Sequence, residues 1–214
     1  MHFAQRNPNL REAGREIAER LARFSRSRDA VILALPNGGA SVGAEIARSL
    51  GIPADVLVVG KITAHGCGGM PIGAITCGGV RLLNHAMIER LNLSRPEVNA
   101  AVLRGALRQA RREKLCRGRK PGVEVEDRTV ILVDDGSTPC IVLRDAIRLL
   151  RRRHVERVVL AMPSACRHHA GELRMEADEF VTLDEPAMNR RPCRAGHSPR
   201  NTPPSPPSGP PVIE

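Results

Sequence analysis

Thr129-Val-Ile-Leu-Val-Asp134-Asp135-Gly136 is the stretch whose reading decides the fold. A β-branched threonine and four aliphatic residues run without a polar break into two carboxylates and a glycine. An unbroken apolar run suits a strand covered on both faces, as in a parallel sheet, rather than a half-exposed one that alternates. Ala30-Val-Ile-Leu-Ala-Leu35, Asp55-Val-Leu-Val-Val59 and Arg157-Val-Val-Leu-Ala161 have the same character, and Glu179-Phe-Val-Thr-Leu183 reads as a further strand. Helical patterns lie between them. Leu10, Ala13, Gly14, Ile17, Ala18, Leu21 and Phe24 recur at helical spacing after Asn9, a side chain suited to an N-cap. Ser41 opens a helix carrying Val42, Ile46, Ala47 and Leu50, closed by Gly51, and another helix is expected over 141–153. Strand and helix in alternation predict an α/β domain with a twisted, mainly parallel sheet flanked by helices.

Outward from these units the chain is less regular. Seven glycines at 60, 66, 68, 69, 73, 78 and 79 predict loop and hairpin around a strand at Ile72–Cys77. A polar, helical stretch covers 84–116, and 104–120 carries eight Arg or Lys against Glu113 alone. Residues 186–214 hold nine of the seventeen prolines and almost no large apolar side chains. Such a segment buries too little surface to offset its ordering entropy, so a disordered, polyproline-prone tail is expected there, after one domain at 1–185.

Composition narrows the partners. The 214 residues carry 33 basic and 23 acidic side chains, a formal charge of +10, and only Lys61, Lys114 and Lys120 are lysines. A basic chain favours anionic partners. Phe3, Phe24 and Phe180 are the only aromatic residues, which disfavours base-stacking nucleic-acid modules. No apolar run reaches 18 residues and the first residues lack an apolar leader segment, so no membrane partner and a cytoplasmic location are expected. The cysteines at 67, 77, 116, 140, 166 and 193 form no C-x-x-C pair and read as reduced thiols. Cys166 with His168 and His169 lacks the usual metal-ligand spacing.

Two turns carry the candidate chemistry. Leu35-Pro36-Asn37-Gly38-Gly39 follows a buried strand, at the sheet edge where open α/β folds bind ligands. Paired glycines let backbone N–H groups approach an anion beside a helix N-terminus, although an ordinary strand-to-helix turn would read the same way. Asp134 and Asp135 at a strand end suit sugar hydroxyls or Mg²⁺. The alternative is an Asp that merely caps the next helix.

With both turns in view, the chain resembles the type I phosphoribosyltransferases, in particular the group described as predicted phosphoribosyltransferases. The resemblance spans about residues 3–186. It rests on Arg11-Glu-Ala-Gly14, Leu33-Ala-Leu-Pro36 with Gly38-Gly39, Val42-Gly-Ala-Glu-Ile-Ala47 with Leu50-Gly51, and Asp55-Val-Leu-Val-Val59 with Lys61-Ile62. It continues through Ile72-Gly-Ala74, Gly78-Gly79, Arg117-Gly118, Thr129 to Gly136, Arg157 to Pro163 and Ala177-Asp-Glu179. The resemblance implies a parallel sheet with a smaller hood. It implies transfer of a phosphoribosyl group from 5-phosphoribosyl 1-diphosphate, a glycosyltransferase reaction of nucleotide metabolism. The implied binding residues are Asn37, Gly38, Gly39 and Lys61, with Gly136, Ser137 and Thr138 about the 5-phosphate. Asp134 and Asp135 are implied to face the ribose and are the candidate catalytic residues. Mg²⁺ is the implied cofactor, arriving with the diphosphate and within reach of the same two carboxylates. A phosphorylated sugar or nucleotide is the implied partner, and a homodimer is compatible with it.

The chain departs from the family pattern where phosphate chemistry resides. The loop pattern D-D-G-x-A-T-G-A-T stands here as Asp134-Asp135-Gly136-Ser137-Thr138-Pro139-Cys140-Ile141-Val142. Proline lacks an N–H, cysteine is a poor substitute for glycine at positive φ, and valine lacks a hydroxyl. Asn37 stands where the family usually has Arg, Gly60 stands where it often has Arg, and Gly69 falls at an expected acidic position. A retained fold with weakened phosphate binding is therefore expected. Three readings follow: a phosphoribosyltransferase, a non-catalytic phosphate- or nucleotide-binding relative, and an Arg-rich nucleic-acid binder using 104–120 and 144–157.

Overall fold

A computed structural model describes residues 8–36, 38–65, 68–118, 122–165 and 167–184. Helix α1, Pro8–Arg20, leads through a short 3-10 turn at Ala22–Phe24 into strand β1, Ala30–Ala34. Helix α2, Gly38–Leu50, then returns the chain to β2, Ala54–Val56. Strands β3 (Gly60–Thr63), β4 (Pro71–Ile75) and β5 (Arg81–Leu83) precede helices α3 (His85–Arg90) and α4 (Arg95–Arg117). The chain closes with β6 (Thr129–Val133), α5 (Cys140–Arg151), β7 (Arg157–Ser164), α6 (Arg167–Glu176) and β8 (Glu179–Asp184).

Five strands pair in parallel in the order β2-β1-β6-β7-β8, as the unbroken apolar runs predict. All five residues of β1 and all five of β6 are buried. The period-2 pleat divides them between two layers. Val31, Leu33, Val130, Leu132, Val158 and Leu160 pack beneath α5 with Leu143, Ile147 and Leu150. Ala30, Ile32, Ala34, Ile131, Val133 and Val159 pack on the opposite layer with Ile17 and Leu21 of α1 and Val42 and Ile46 of α2. Helices on both faces of a parallel sheet match the predicted fold class.

The order places β1 beside β6, although ninety-odd residues of chain separate them. From β1 the chain moves outward one way to β2, and from β6 it moves outward the other way to β7 and β8. The loops leaving β1 and β6 therefore diverge to opposite layers and leave a crevice between them. The second sheet, β3-β4-β5, is antiparallel, and with α3 and α4 it encloses its own small core of Ile62, Ile72, Ile75 and Ala101. This is the hood-like second layer.

Several boundaries differ from the sequence reading. Asn9 lies inside α1 and does not cap it. Helix α2 begins at Gly38 rather than Ser41, so the double glycine is its first turn. The run at 55–59 does not stay in the main sheet. After Leu57 N–H donates to Ala34 O, the Val58 carbonyl accepts instead from the Thr76 hydroxyl and the Gln109 amide, and the chain departs toward the second sheet. The strand expected at Ile72–Cys77 is Pro71–Ile75, ended by a turn with Gly78 and Gly79 at positive φ. The helical stretch at 84–116 divides at Asn92, φ 48°, and restarts at the Ser94–Glu97 capping box. Helix α6 is not anticipated by the sequence reading; among its described side chains Ala170 and Leu173 are the buried ones. Asn37, Cys166, Cys193 and the expected tail at 186–214 lie outside the described residues, so the boundary near 185 is not addressed by them.

Candidate active site at the crevice between the first and sixth strands

Gly38 and Gly39 open α2 at the carboxyl end of β1, and Asp134 to Thr138 leave the carboxyl end of β6. Register pairing of Ala34 with Val133 sets the two turns side by side. The approach is close enough to specify residue types. A Cβ on Gly38 would stand 1.7 Å from Asp135 Oδ2, and one on Gly39 would stand 3.0 Å from Val133 O. Gly136 has φ 90° and would place a Cβ 2.5 Å from Ser164 O, so only glycine fits there. The predicted set Gly38, Gly39, Asp134, Asp135, Gly136, Ser137 and Thr138 is thus one cluster.

The two carboxylates are not equivalent. Asp134 is fully buried; its Oδ2 accepts from Gly136 N–H at 2.8 Å and Thr138 N–H at 3.3 Å, and its Oδ1 from the Thr138 hydroxyl at 2.6 Å. Asp135 is half-buried, and its Oδ1 accepts from Ser137 N–H at 3.0 Å and the Ser137 hydroxyl at 2.6 Å. Burial pushes the Asp134 carboxyl above its ordinary value and the charge of Asp135 adds to the rise, against the hydrogen bonds from Thr138 and Gly136. Asp134 therefore braces the turn from beneath, while Asp135, against Gly38, is the carboxylate at the crevice.

Asp134 carries three hydrogen bonds across its two oxygens and Asp135 carries two, both on Oδ1. Among the described residues no group of three His, Cys, Asp or Glu side chains is arranged to hold a metal ion.

Lys61 sits on β3, in the other sheet, with its side chain exposed and its carbonyl 3.5 Å from Arg108 Nη2. It belongs to the hood, not to the cluster. Asn37 lies outside the described residues. Helix α5 begins behind the turn with Pro139 as its N-cap. The Cys140 thiol is pushed up by burial and by Glu172, whose carboxylate it faces at 3.8 Å, so it stays protonated.

Sequence reasoning missed Ser164, whose carbonyl backs Gly136, and the clamp of Thr76 and Gln109 on Val58. Gln109 is buried on an otherwise Arg-rich helix, and that polarity mismatch was its only signal in the chain. The basic patch expected over 144–157 is largely paired internally. Arg144, Arg148, Arg151 and Arg157 reach Glu172, Glu176, Asp178 and Glu179.

Comparison with known proteins agrees with this geometry. A family model described as the phosphoribosyl transferase domain matches residues 5–192. Two Mycobacterium tuberculosis proteins, from strains CDC 1551 and H37Rv, carry names that place them among phosphoribosyl transferases; each is 33% identical over 177 residues. Those residues are 83% of this chain and 40% of each relative, so the chain spans two fifths of their length. A crystal structure of a Thermus thermophilus protein is 31% identical, covers 85% of this chain with 86% of its own, and superposes with a TM-score of 0.63. Matching family model, relatives, parallel-sheet order and switch-point crevice converge: the chain belongs to the phosphoribosyl transferase domain family.

Proposed function

We propose that the crevice binds 5-phosphoribosyl 1-diphosphate and transfers its ribosyl group to an acceptor, with a weak hold on the donor. The observation that carries this reading is the packing of Gly38 against Asp135 at the carboxyl ends of adjacent parallel strands. The first turn of α2 offers backbone N–H groups and a positive dipole end to the diphosphate. Asp135 accepts from the ribose hydroxyls, held by Ser137, while Gly136 and Thr138 tie Asp134 beneath the turn. In the reaction the bond from C1 to the diphosphate oxygen breaks as the acceptor bonds to C1. Mg²⁺ bound to the diphosphate as part of that substrate would neutralise the leaving charge. Transition-state charge stabilisation and positioning supply the rate. A nucleic-acid role has less support, because the arginines of α5 and β7 already pair with carboxylates.

Calorimetry of the sugar diphosphate against the whole chain tests the reading. Saturable binding in Mg²⁺ is expected, with about a tenfold or greater loss for Asp135→Asn, equivalent to about 1.4 kcal/mol. Folded protein that binds no donor, or an Asp135→Asn variant that binds as the wild type does, overturns it. Binding that falls steeply with salt and extends to any nucleic acid would favour the nucleic-acid reading instead.

A further inference from the structure

Helix α4 turns its larger apolar side chains away from the protein. An amphipathic helix normally covers its leucines and exposes its polar face. On α4 the residues packed inward are Ala101, Gly105 and Gln109, all buried. Gly105 lets β3 come close: a Cβ there would stand 3.3 Å from Ile62 Cγ1. Leu103 and Leu107 are instead 63% and 57% exposed, and Leu115 is 85% exposed. Positions four apart share one helix face, so Leu103 and Leu107 adjoin, with exposed Ala110 next along the same stripe.

The charge around this stripe is uncompensated. Arg104, Arg111 and Lys114 are exposed beside it and make no ion pair among the described residues. The carboxylates of α4 are committed elsewhere, Glu97 to the capping box with Ser94 and Glu113 to the Gln109 amide. The arginines of α5, by contrast, reach Glu172, Glu176 and Asp178. Adjoining leucines rimmed by unpaired cations suit a partner that brings both apolar side chains and carboxylates. A second copy of α4 would set arginine against arginine. A nucleic acid would neutralise the arginines and leave the leucines uncovered. Interfacial membrane helices draw on Trp and Phe as well as Leu, and α4 holds no aromatic residue. A helix with leucines at spacings of three and four, flanked by Asp or Glu, meets both requirements. Its apolar ridge packs against Leu103 and Leu107 while its carboxylates reach Arg104 and Arg111.

We propose that the outer face of α4 docks an acidic, leucine-bearing helix of a partner protein. The proposal is independent of the donor reading of the crevice. The probe is a blocked synthetic peptide of about three heptads, with leucine at the a and d positions and glutamate at e and g. It is titrated into the whole chain by calorimetry at fixed salt. Saturable binding is expected, and serine in place of the peptide's leucines should weaken it about tenfold or more. Leu103→Ser with Leu107→Ser, and separately Arg104→Glu with Arg111→Glu, should each weaken it to the same degree. These side chains are exposed, so both variants are expected to melt with the wild type. For a variant that does not, the two peptides against the wild-type chain decide alone. Absence of binding by the acidic leucine peptide overturns the proposal. So does binding that the leucine substitutions leave unchanged, which is attraction by charge alone. A dimer in sedimentation that Leu103→Ser with Leu107→Ser dissociates would assign the face to a second copy instead. Binding to phosphatidylserine vesicles that needs the same leucines, without peptide binding, would assign it to a membrane.

Discussion

Gly38 leaves no room for a side chain against Asp135. A methyl group there would overlap Oδ2 at 1.7 Å, so Gly38→Ala must displace the carboxylate or the start of α2. Overpacking of this kind costs about 1–3 kcal/mol. The expected outcome is a lower melting temperature and a tenfold or greater loss of donor affinity; unchanged calorimetry would show that Asp135 does not touch the ligand. Asp134 makes a prediction in pH. Its carboxyl is raised by burial, so the folded state holds the proton more tightly than the unfolded chain. Its contribution to stability is fully present below the ordinary carboxylate value of 3.8 and is lost as pH rises through the raised folded value. Urea unfolding of wild type and Asp134→Asn across this range should show a stability difference that shifts against the wild type as pH rises. A difference independent of pH would mean that Asp134 titrates normally. Glu45 has the opposite sign. Burial would raise it, but hydrogen bonds and charge from Arg15 and Arg48 outweigh that and hold it low, so its contribution is lost as pH falls.

At the scale of elements, the turn into α5 is the feature that separates this chain from its family pattern. Pro139→Thr with Cys140→Gly and Val142→Thr returns one N–H, one permissive backbone position and two hydroxyls to a helix start. Hydrogen bonds to charged groups contribute about 1.5–3 kcal/mol each, so two re-formed bonds would tighten 5-phosphoribosyl 1-diphosphate by about 3–6 kcal/mol. Equal affinities for wild type and variant would remove this turn from the phosphate site. Helices α1 and α2 pack closely where Gly14 meets Glu45: a Cβ on Gly14 would lie 2.8 Å from Glu45 Cβ. Gly→Ala within a helix normally adds about 0.8–1 kcal/mol of propensity. Here the clash with a buried neighbour is expected to outweigh that gain. Gly14→Ala should melt below the wild type, and a higher melting temperature would show that α1 slides without penalty.

At the scale of the whole molecule, the passage from the main sheet to the second is tied by buried side chains. The Val58 carbonyl, where the chain leaves the main sheet for the second, accepts from Thr76 and from Gln109 of α4. Gln109 also donates to Glu113 at 2.9 Å, and its carbonyl oxygen is buried beside Gly60 without a partner. Gln109→Leu removes the tie while filling similar space. Hydrogen exchange in β3 and β4 should accelerate while β1 and β6 stay protected, since sub-global opening follows local ties. Acceleration throughout both sheets would mean that the two layers open as one unit.

The apolar runs at 30–35, 129–133 and 157–161 settled that the chain forms a parallel sheet, because residues covered on both faces cannot afford polar alternation. The same text marked the two strand ends, Pro36–Gly39 and Asp134–Gly136, because a glycine pair and adjacent carboxylates end the apolar runs there. Local pattern did not reveal that β1 pairs with β6. Pairing across such a separation in sequence is decided by which faces can be covered at once. Nor did it distinguish Asp134 from Asp135. Identical side chains one residue apart point to opposite sides, and only the packed sheet shows which is buried beneath the turn and which meets Gly38. The run at 55–59 shows the same limit. Its composition suits a strand throughout, but Leu57 makes the last bond to β1 and the side chains of Thr76 and Gln109 take the next carbonyl. Those partners lie 18 and 51 residues away, beyond any local pattern.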